Sequence, residues 1–141
     1  MEILDYAWEP SMRTGDDLCD AQHKELIRRL NLLLHAMYKG QPAAEVESML
    51  DFLSKYVVQH FSREEALMDR VQCPLAAANR KAHAIFMKKL ATFRDRLANR
   101  QSTTALIAIE MLRDISTWLV DHIRNIDARM LPYVQQQGAT P

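Results

Sequence analysis

Residues 18–38 have the sequence LCDAQHKELIRRLNLLLHAMY, and this stretch decides the fold class. Its apolar side chains recur every three or four positions, which is the spacing of one face of an α-helix; they are Leu26, Ile27, Leu30, Leu33, Leu34 and Met37. Gly40-Gln41-Pro42 then ends this helix and begins the next, because proline is tolerated in a first helical turn. The sequence therefore predicts a first amphipathic helix over about residues 18–38.

Three more stretches have the same periodicity, over about residues 43–70, 75–98 and 104–131. Their apolar positions are Val46, Met49, Leu50, Leu53, Tyr56, Val57, Phe61 and Met68; Ile85, Phe86, Leu90 and Phe93; and Leu106, Ile109, Leu112, Ile115, Leu119, Ile123 and Ile126. Cys73-Pro74 and the polar residues 99–103 separate these helices. Short connections force neighbouring helices to run antiparallel. We therefore predict an all-α, up-down-up-down antiparallel four-helix bundle (about 18–131), with an extended N-terminal arm (1–17) and a short tail (132–141).

The composition favours one domain over residues 1–141. With 48% hydrophobic residues, three glycines and five prolines in 141 residues, a globular helical fold is favoured over a β-rich or disordered one. Eighteen basic and 18 acidic residues balance, which argues against binding to nucleic acid or to an anionic membrane. Neither a signal peptide nor a membrane span is indicated, so we expect a cytoplasmic protein, and a monomer. Cys19 and Cys73 are expected to be two reduced thiols.

Four of the five histidines fall at one end of the predicted bundle. His23 is near the start of the first helix, His60 near the end of the second, His83 near the start of the third and His122 near the end of the fourth. In an up-down bundle those positions share one level, so four imidazoles can converge in the core. His35 lies twelve residues beyond His23, about 18 Å along the helix. We expect it at the surface or in side packing.

Two carboxylates accompany these histidines. Glu64 follows His60 by four residues, so both lie on one helix face. Asp127 follows His122 by five residues, which requires a π-like widening or a splayed side chain to face the same way. Imidazoles and carboxylates on inward faces form sites for iron, manganese or zinc. The alternative for each carboxylate is an ordinary ion pair with a nearby arginine.

Four short segments stand in order along the chain: Asp20-Ala21-Gln22-His23-Lys24, His60-Phe61-x-x-Glu64-Glu65-x-Leu67-Met68, Cys73-Pro74 followed by His83-x-x-Phe86, and Trp118-Leu119-x-x-His122-Ile123-x-x-x-Asp127. In their order and spacing they resemble the helix elements of the bacterial hemerythrins. Trp8 in the arm and Gly15 before the first helix also fit. The resemblance covers about residues 8–131.

The resemblance implies a non-haem di-iron centre that binds O2 reversibly. Two iron ions, joined by an oxo or hydroxo group, would be held by side chains from all four helices. The implied ligands are His23 and His60 for the iron that takes O2, His83 and His122 for the second iron, and Glu64 and Asp127 as bridges. Leu26, Trp118, Leu119 and Ile123 would form an apolar wall over the open iron, keeping water and protons away from bound O2.

The sequence departs from the family pattern at one position. The family has a histidine four residues before the equivalent of His83, whereas this chain has Asn79. An amide oxygen is a weaker metal ligand than imidazole. Three outcomes remain open: Asn79 or water fills the position, leaving a labile second iron; the second site is partly empty; or an exchangeable position there favours oxidation chemistry.

We therefore expect an O2-binding protein and not an enzyme, as a stand-alone carrier or store rather than a sensor. The alternative on the same scaffold is a di-iron redox enzyme, such as an oxidase or peroxidase, or a protein that handles nitric oxide or iron. A haem-binding bundle would leave Glu64 and Asp127 without a role. A metal-free interaction module would leave four core histidines unexplained, because burying unpaired polar groups costs a few kcal/mol each.

Overall fold

The computed structural model describes residues 5–100 and 103–139. Its elements are α1 (Asp17–Tyr38), α2 (Pro42–Arg70), α3 (Ala76–Ala98), α4 (Thr104–Asn125) and α5 (Leu131–Ala139), with 3-10 turns at Pro10–Met12 and Asp127–Met130. The predicted all-α class is confirmed. No helix in the described part of the chain is both long enough and apolar enough to span a bilayer.

The four long helices form a closed bundle. α1 packs against α2 and α4, and α3 packs against the same two helices. The directions alternate, because His23 near the start of α1 meets Glu64 near the end of α2, while His83 near the start of α3 meets His122 near the end of α4. The predicted antiparallel four-helix bundle is therefore confirmed.

The helix ends follow from local hydrogen bonding. Asp16 begins α1 by accepting a hydrogen bond from the Cys19 amide through its side chain. At the other end, the amides of Gly40 and Gln41 donate to the last free carbonyls of the helix, with Gly40 at φ +70°. α2 ends with the same arrangement, but Gln72 occupies the left-handed position at φ +56°.

The predicted end of the fourth helix is wrong. α4 ends at Asn125, not near residue 131, and Ile126 takes a non-helical conformation at φ −122°, ψ −64°. A 3-10 turn then leads into α5, with Pro132 at its second position, where its missing N–H has no cost. Residues 131–139, which mostly fall in the predicted tail, are therefore helical.

The N-terminal arm is extended except for its 3-10 turn, and it packs on the bundle. Tyr6 and Asn31 exchange two hydrogen bonds, and the Asp20 carboxylate accepts bonds from the Thr14 amide and hydroxyl. Gly15 adopts φ +89°, and a Cβ there would lie 3.0 Å from the Leu131 side chain. The arm and α5 therefore meet closely at a residue that must be glycine.

Most predicted apolar positions line a continuous core between the helices. Ile85, Leu106 and Ile109 do not, since each exposes about half of its surface. On α4 the buried stripe runs through Ala108, Met111 and neighbouring turns instead. Leu106 and Ile109 point away from that stripe, so their apolar character alone was misleading.

Candidate metal centre

Four imidazoles from four helices meet at one level of the bundle. His23, His60, His83 and His122 are all buried, none exposing more than 5% of its surface. The His23 and His60 rings contact edge-to-face with centroids 4.8 Å apart. The Nε2 atoms of His83 and His122 lie 3.1 Å apart. The predicted convergence of two pairs of histidines is thus present in the structure.

Glu64 lies between the two pairs of imidazoles. Its Oε2 atom is 3.2 Å from Nε2 of His23 and 3.2 Å from Nε2 of His60. Its Oε1 atom is 3.0 Å from Nε2 of His83 and 3.6 Å from Nε2 of His122. Each oxygen of one carboxylate therefore faces one histidine pair.

Asp127 spans the pairs in the same manner. Its Oδ2 atom lies 3.1 Å from His23 Nε2, and its Oδ1 atom lies 3.0 Å from His122 Nε2. Neither oxygen accepts an aligned hydrogen bond from any described residue, although the side chain is buried. Two buried carboxylate oxygens thus face imidazole nitrogens without an aligned hydrogen bond, an arrangement that fits metal ligands.

Asp127 reaches this position by a route the sequence analysis did not predict. Neither a π-like widening nor a splayed side chain is used. The helix ends at Asn125, and the break at Ile126 starts a 3-10 turn with Asp127 as its first residue. Because the backbone leaves the helical path there, the angular separation of the His122 and Asp127 side chains around the axis of α4 differs from that in a straight helix.

Two polar residues orient the histidines. The Nδ1–H group of His60 donates to Gln22 Oε1 over 2.8 Å, and that of His83 donates to Glu65 Oε2 over 3.0 Å. These bonds fix the orientation of both rings, so that each Nε2 atom is aimed at the centre. Gln22 and Glu65 belong to the quoted motifs, but the sequence analysis gave neither residue this role.

The electrostatics of the metal-free protein couple these groups. Burial disfavours the charge on Glu64, but contacts with the four imidazoles outweigh it and hold the pKa of Glu64 well below its ordinary value. Burial also opposes the charge on His122, yet Asp127 and Glu64 raise the pKa of His122 to about 9. Contacts with Asp127, Cys19 and Glu64 likewise outweigh burial and raise the pKa of His23 well above its ordinary value. Protons on these histidines therefore balance the buried carboxylates.

Asn79 is fully buried one helical turn before His83. Neither its amide oxygen nor its amide nitrogen has a hydrogen-bond partner among the described residues. A buried amide without partners costs free energy, so this position calls for a further ligand, such as a metal ion or water.

Cys19 is a member of the cluster that the sequence analysis missed. Its thiol lies 3.4 Å from Glu64 Oε2 and 3.8 Å from His23 Nε2. Burial raises the pKa of Cys19 to about 12. Cys73 is also buried, and neither cysteine forms a disulfide. The signal for Cys19 was present in the sequence, because it stands four residues before His23 on the same helix face.

Comparison with known proteins agrees with this geometry. Residues 14–134 match the family model described as the hemerythrin HHE cation binding domain, which spans more than half of the chain. The chain belongs to the hemerythrin family. The description of that family is of a domain that binds cations.

Individual hemerythrin relatives cover most of the chain. A bacteriohemerythrin of Stenotrophomonas maltophilia is 32% identical over 85% of this chain and 75% of its own length. A bacteriohemerythrin of Pseudomonas paraeruginosa is 31% identical over 86% of this chain and 76% of its own length. A hemerythrin of Themiste dyscrita is 29% identical over 86% of this chain and 88% of its own length.

A small apolar cavity adjoins this hemerythrin centre. Its volume is about 10 Å³, close to the space that one water molecule needs. Leu26, Trp118 and Leu119 line it, as the predicted pocket requires, whereas Ile123 is buried in the core nearby but is not among the lining residues. Trp118 also stacks on His122, with ring centroids 4.4 Å apart. The cavity is thus separated from His122 by the side chain of Trp118.

His35 is separate from this site, as expected. It is partly exposed and pairs with Asp5 of the arm. The remaining predicted residues together present a donor set of imidazole nitrogens and carboxylate oxygens, which suits iron. The unpartnered oxygens of Asp127 fit a centre built to hold cations.

Proposed function

We propose that this protein binds O2 reversibly at a non-haem di-iron centre, as a carrier, store or sensor. The single observation that supports this most strongly is that Glu64 and Asp127 each direct their two oxygens toward different histidine pairs. A carboxylate placed in this way bridges two metal ions. Membership of the hemerythrin family supports iron as the metal.

The proposed ligands follow from the same contacts. The iron that takes O2 would be held by nitrogen donors of α1 and α2, and the other iron by nitrogen donors of α3 and α4. The full set is His23 and His60 for the first iron, His83 and His122 for the second, and Glu64 and Asp127 for both.

The protein contributes orientation and exclusion of water. Iron, when bound, supplies the electrons that O2 accepts. Gln22 and Glu65 hold the imidazoles of His60 and His83 in position. Leu26, Trp118, Leu119 and Ile123 surround the approach with apolar surface, so few protons reach bound O2. Reversible binding depends on that exclusion, because protonation would let reduced oxygen leave.

We further propose that Asn79 weakens the second iron. An amide offers less electron density than the imidazole that the family pattern has at this position. The unpartnered state of the Asn79 amide supports a role toward a ligand. The second iron would then be held by two histidines and the two carboxylates, and it would exchange more readily than an iron held by a third imidazole at this position.

A second candidate is a di-iron redox enzyme, an oxidase or peroxidase, or a protein that handles nitric oxide. A groove of about 620 Å³ between α3 and α4 supports it, because the groove reaches His122 from the surface. Together with a weak ligand at Asn79, this groove gives peroxide or nitric oxide a route to the second iron. The proposed setting in either case is a cytoplasmic monomer of one domain.

Metal analysis and optical spectroscopy test these proposals. Wild-type protein reduced with iron bound should develop a visible absorption band under O2, and the band should disappear when O2 is removed. His60→Ala and Glu64→Ala should lower the iron content, whereas His35→Ala, outside the centre, should not. Rapid irreversible oxidation with turnover of peroxide would support the enzyme instead. A protein that binds no iron would refute both.

A further inference from the structure

Cys19 stands where an additional metal ligand would be. It lies one turn before His23 on α1, and its thiol is 2% exposed. The residue belongs to a buried apolar cluster that also contains Met68 and Met130. A cysteine in that surrounding alone would be an ordinary small core residue, but its sulfur faces Glu64 and His23.

The spacing of the donor atoms matches a metal site that includes sulfur. Sulfur at about 2.3 Å and nitrogen or oxygen at about 2.1 Å from one metal lie about 3.1 to 3.6 Å apart for angles from octahedral to tetrahedral. The Cys19 sulfur lies 3.4 Å from Glu64 Oε2, within this range, and 3.8 Å from His23 Nε2, which is about 0.2 Å beyond its upper end. Donor atoms of Cys19, His23, His60 and Glu64 all lie within 4.8 Å of one another.

An independent observation points to a cation at the same place. Asp127 Oδ2 is buried, has no aligned hydrogen bond from the described residues, and lies 3.1 Å from His23 Nε2. A buried carboxylate oxygen without an aligned hydrogen bond costs free energy. A cation bound among Asp127, His23 and their neighbours would remove that cost.

We propose that Cys19 binds the first metal as a thiolate, which makes that position a mixed sulfur, nitrogen and oxygen site. On binding, the S–H bond breaks, the sulfur donates an electron pair to the metal, and the proton passes to solvent. The inference rests on the proposed function, since it adds a ligand to the position of His23 and His60. Thiolate favours softer cations, so the two positions of the centre differ in metal preference.

A thiolate here leaves the apolar cavity free. Cys19 precedes His23 by four residues, and Leu26, which lines the cavity, follows it by three. These offsets place them about 6 Å and 4.5 Å from His23 in opposite directions along α1. The sulfur and the part of the cavity wall formed by Leu26 therefore lie on opposite sides of His23 along α1.

Cobalt binding tests the inference. Metal-free protein is titrated with Co²⁺ in the absence of O2, and a near-ultraviolet charge-transfer band from thiolate to cobalt is recorded. Wild type and Cys73→Ser should show the band, whereas Cys19→Ala and Cys19→Ser should lack it. The two Cys19 variants should still bind Co²⁺, but with an affinity lower than that of wild type by about tenfold or more. Cys73 is the matched control, because it is also buried and free.

Absence of the band in wild-type protein would overturn the inference, and so would its persistence in Cys19→Ala. The wild-type spectrum decides even if the variants fail to fold. If the iron form binds O2 reversibly but the cobalt form of the wild-type protein shows no band, only the proposed coordination by the Cys19 thiolate is refuted. A cobalt band in a protein whose iron form does not bind O2 would refute only the proposed function.

Discussion

The hydrogen bonds behind the histidines offer a way to weaken the two metal positions separately. Gln22→Leu removes the acceptor of the His60 Nδ1–H group, and it changes little else because Gln22 contributes only this 2.8 Å side-chain bond to the centre. A buried donor without a partner costs about 1–3 kcal/mol. Loss of such an orienting group lowers metal affinity about 10- to 100-fold, which corresponds to about 1.4–2.8 kcal/mol.

The matched perturbation is Glu65→Leu, which frees His83 instead. Metal-free protein would be titrated with Zn²⁺ against a chelator, so that the two binding steps separate. Gln22→Leu should weaken the step that belongs to His60, and Glu65→Leu the other. Gln22→Glu keeps an acceptor and should bind nearly as well as wild type.

Two results would refute this reasoning. If Gln22→Leu binds both ions within twofold of wild type, the hydrogen bond to His60 does not position a ligand. If Gln22→Leu and Glu65→Leu weaken the same step, then His60 and His83 do not serve different metal positions.

Three further outcomes are expected. Asn79→His should raise the iron content toward two per chain and slow oxidation by air, and unchanged values for both would show that this position matters little. The metal-free protein should lose stability as pH rises from about 6.5 through about 9. Folding raises the pKa of His122 to about 9, and the proton that stabilises the folded state is lost across this range. Melting temperatures that do not change between these pH values would contradict the raised pKa of His122. Gln72→Gly should stabilise the protein by about 1 kcal/mol, since Gln72 adopts φ +56°, and urea unfolding with no gain would argue against strain there.

Local patterns were sufficient to predict much of this molecule. The apolar periodicity of residues 18–38 and the helix-boundary signals at Pro42 and Pro74 predicted the bounds of three of the four long helices to within a few residues. The common level of the four histidines followed from helix direction alone. These features depend on near neighbours in the chain, which a sequence displays directly.

Other features depend on contacts between distant residues, and the sequence analysis missed them. The break at Ile126 accompanies a separate helix, α5, that packs near Gly15 of the arm, and apolar periodicity across residues 104–131 concealed it. Cys19 was judged by its distance from Cys73, although its position four residues before His23 was visible in the sequence. Its contact with Glu64 of α2 and the break at Ile126 are not encoded in local spacing.

The contact between Gly15 and Leu131 has a consequence for biosynthesis. Asp127 is fixed by the turn between α4 and α5, and α5 is seated by the corner at Gly15. A nascent chain emerging from the ribosome therefore presents His23, His60 and His83 well before His122 and Asp127. Metal bound by the first three histidines alone would be loosely held, and we expect the centre to mature after α5 has docked.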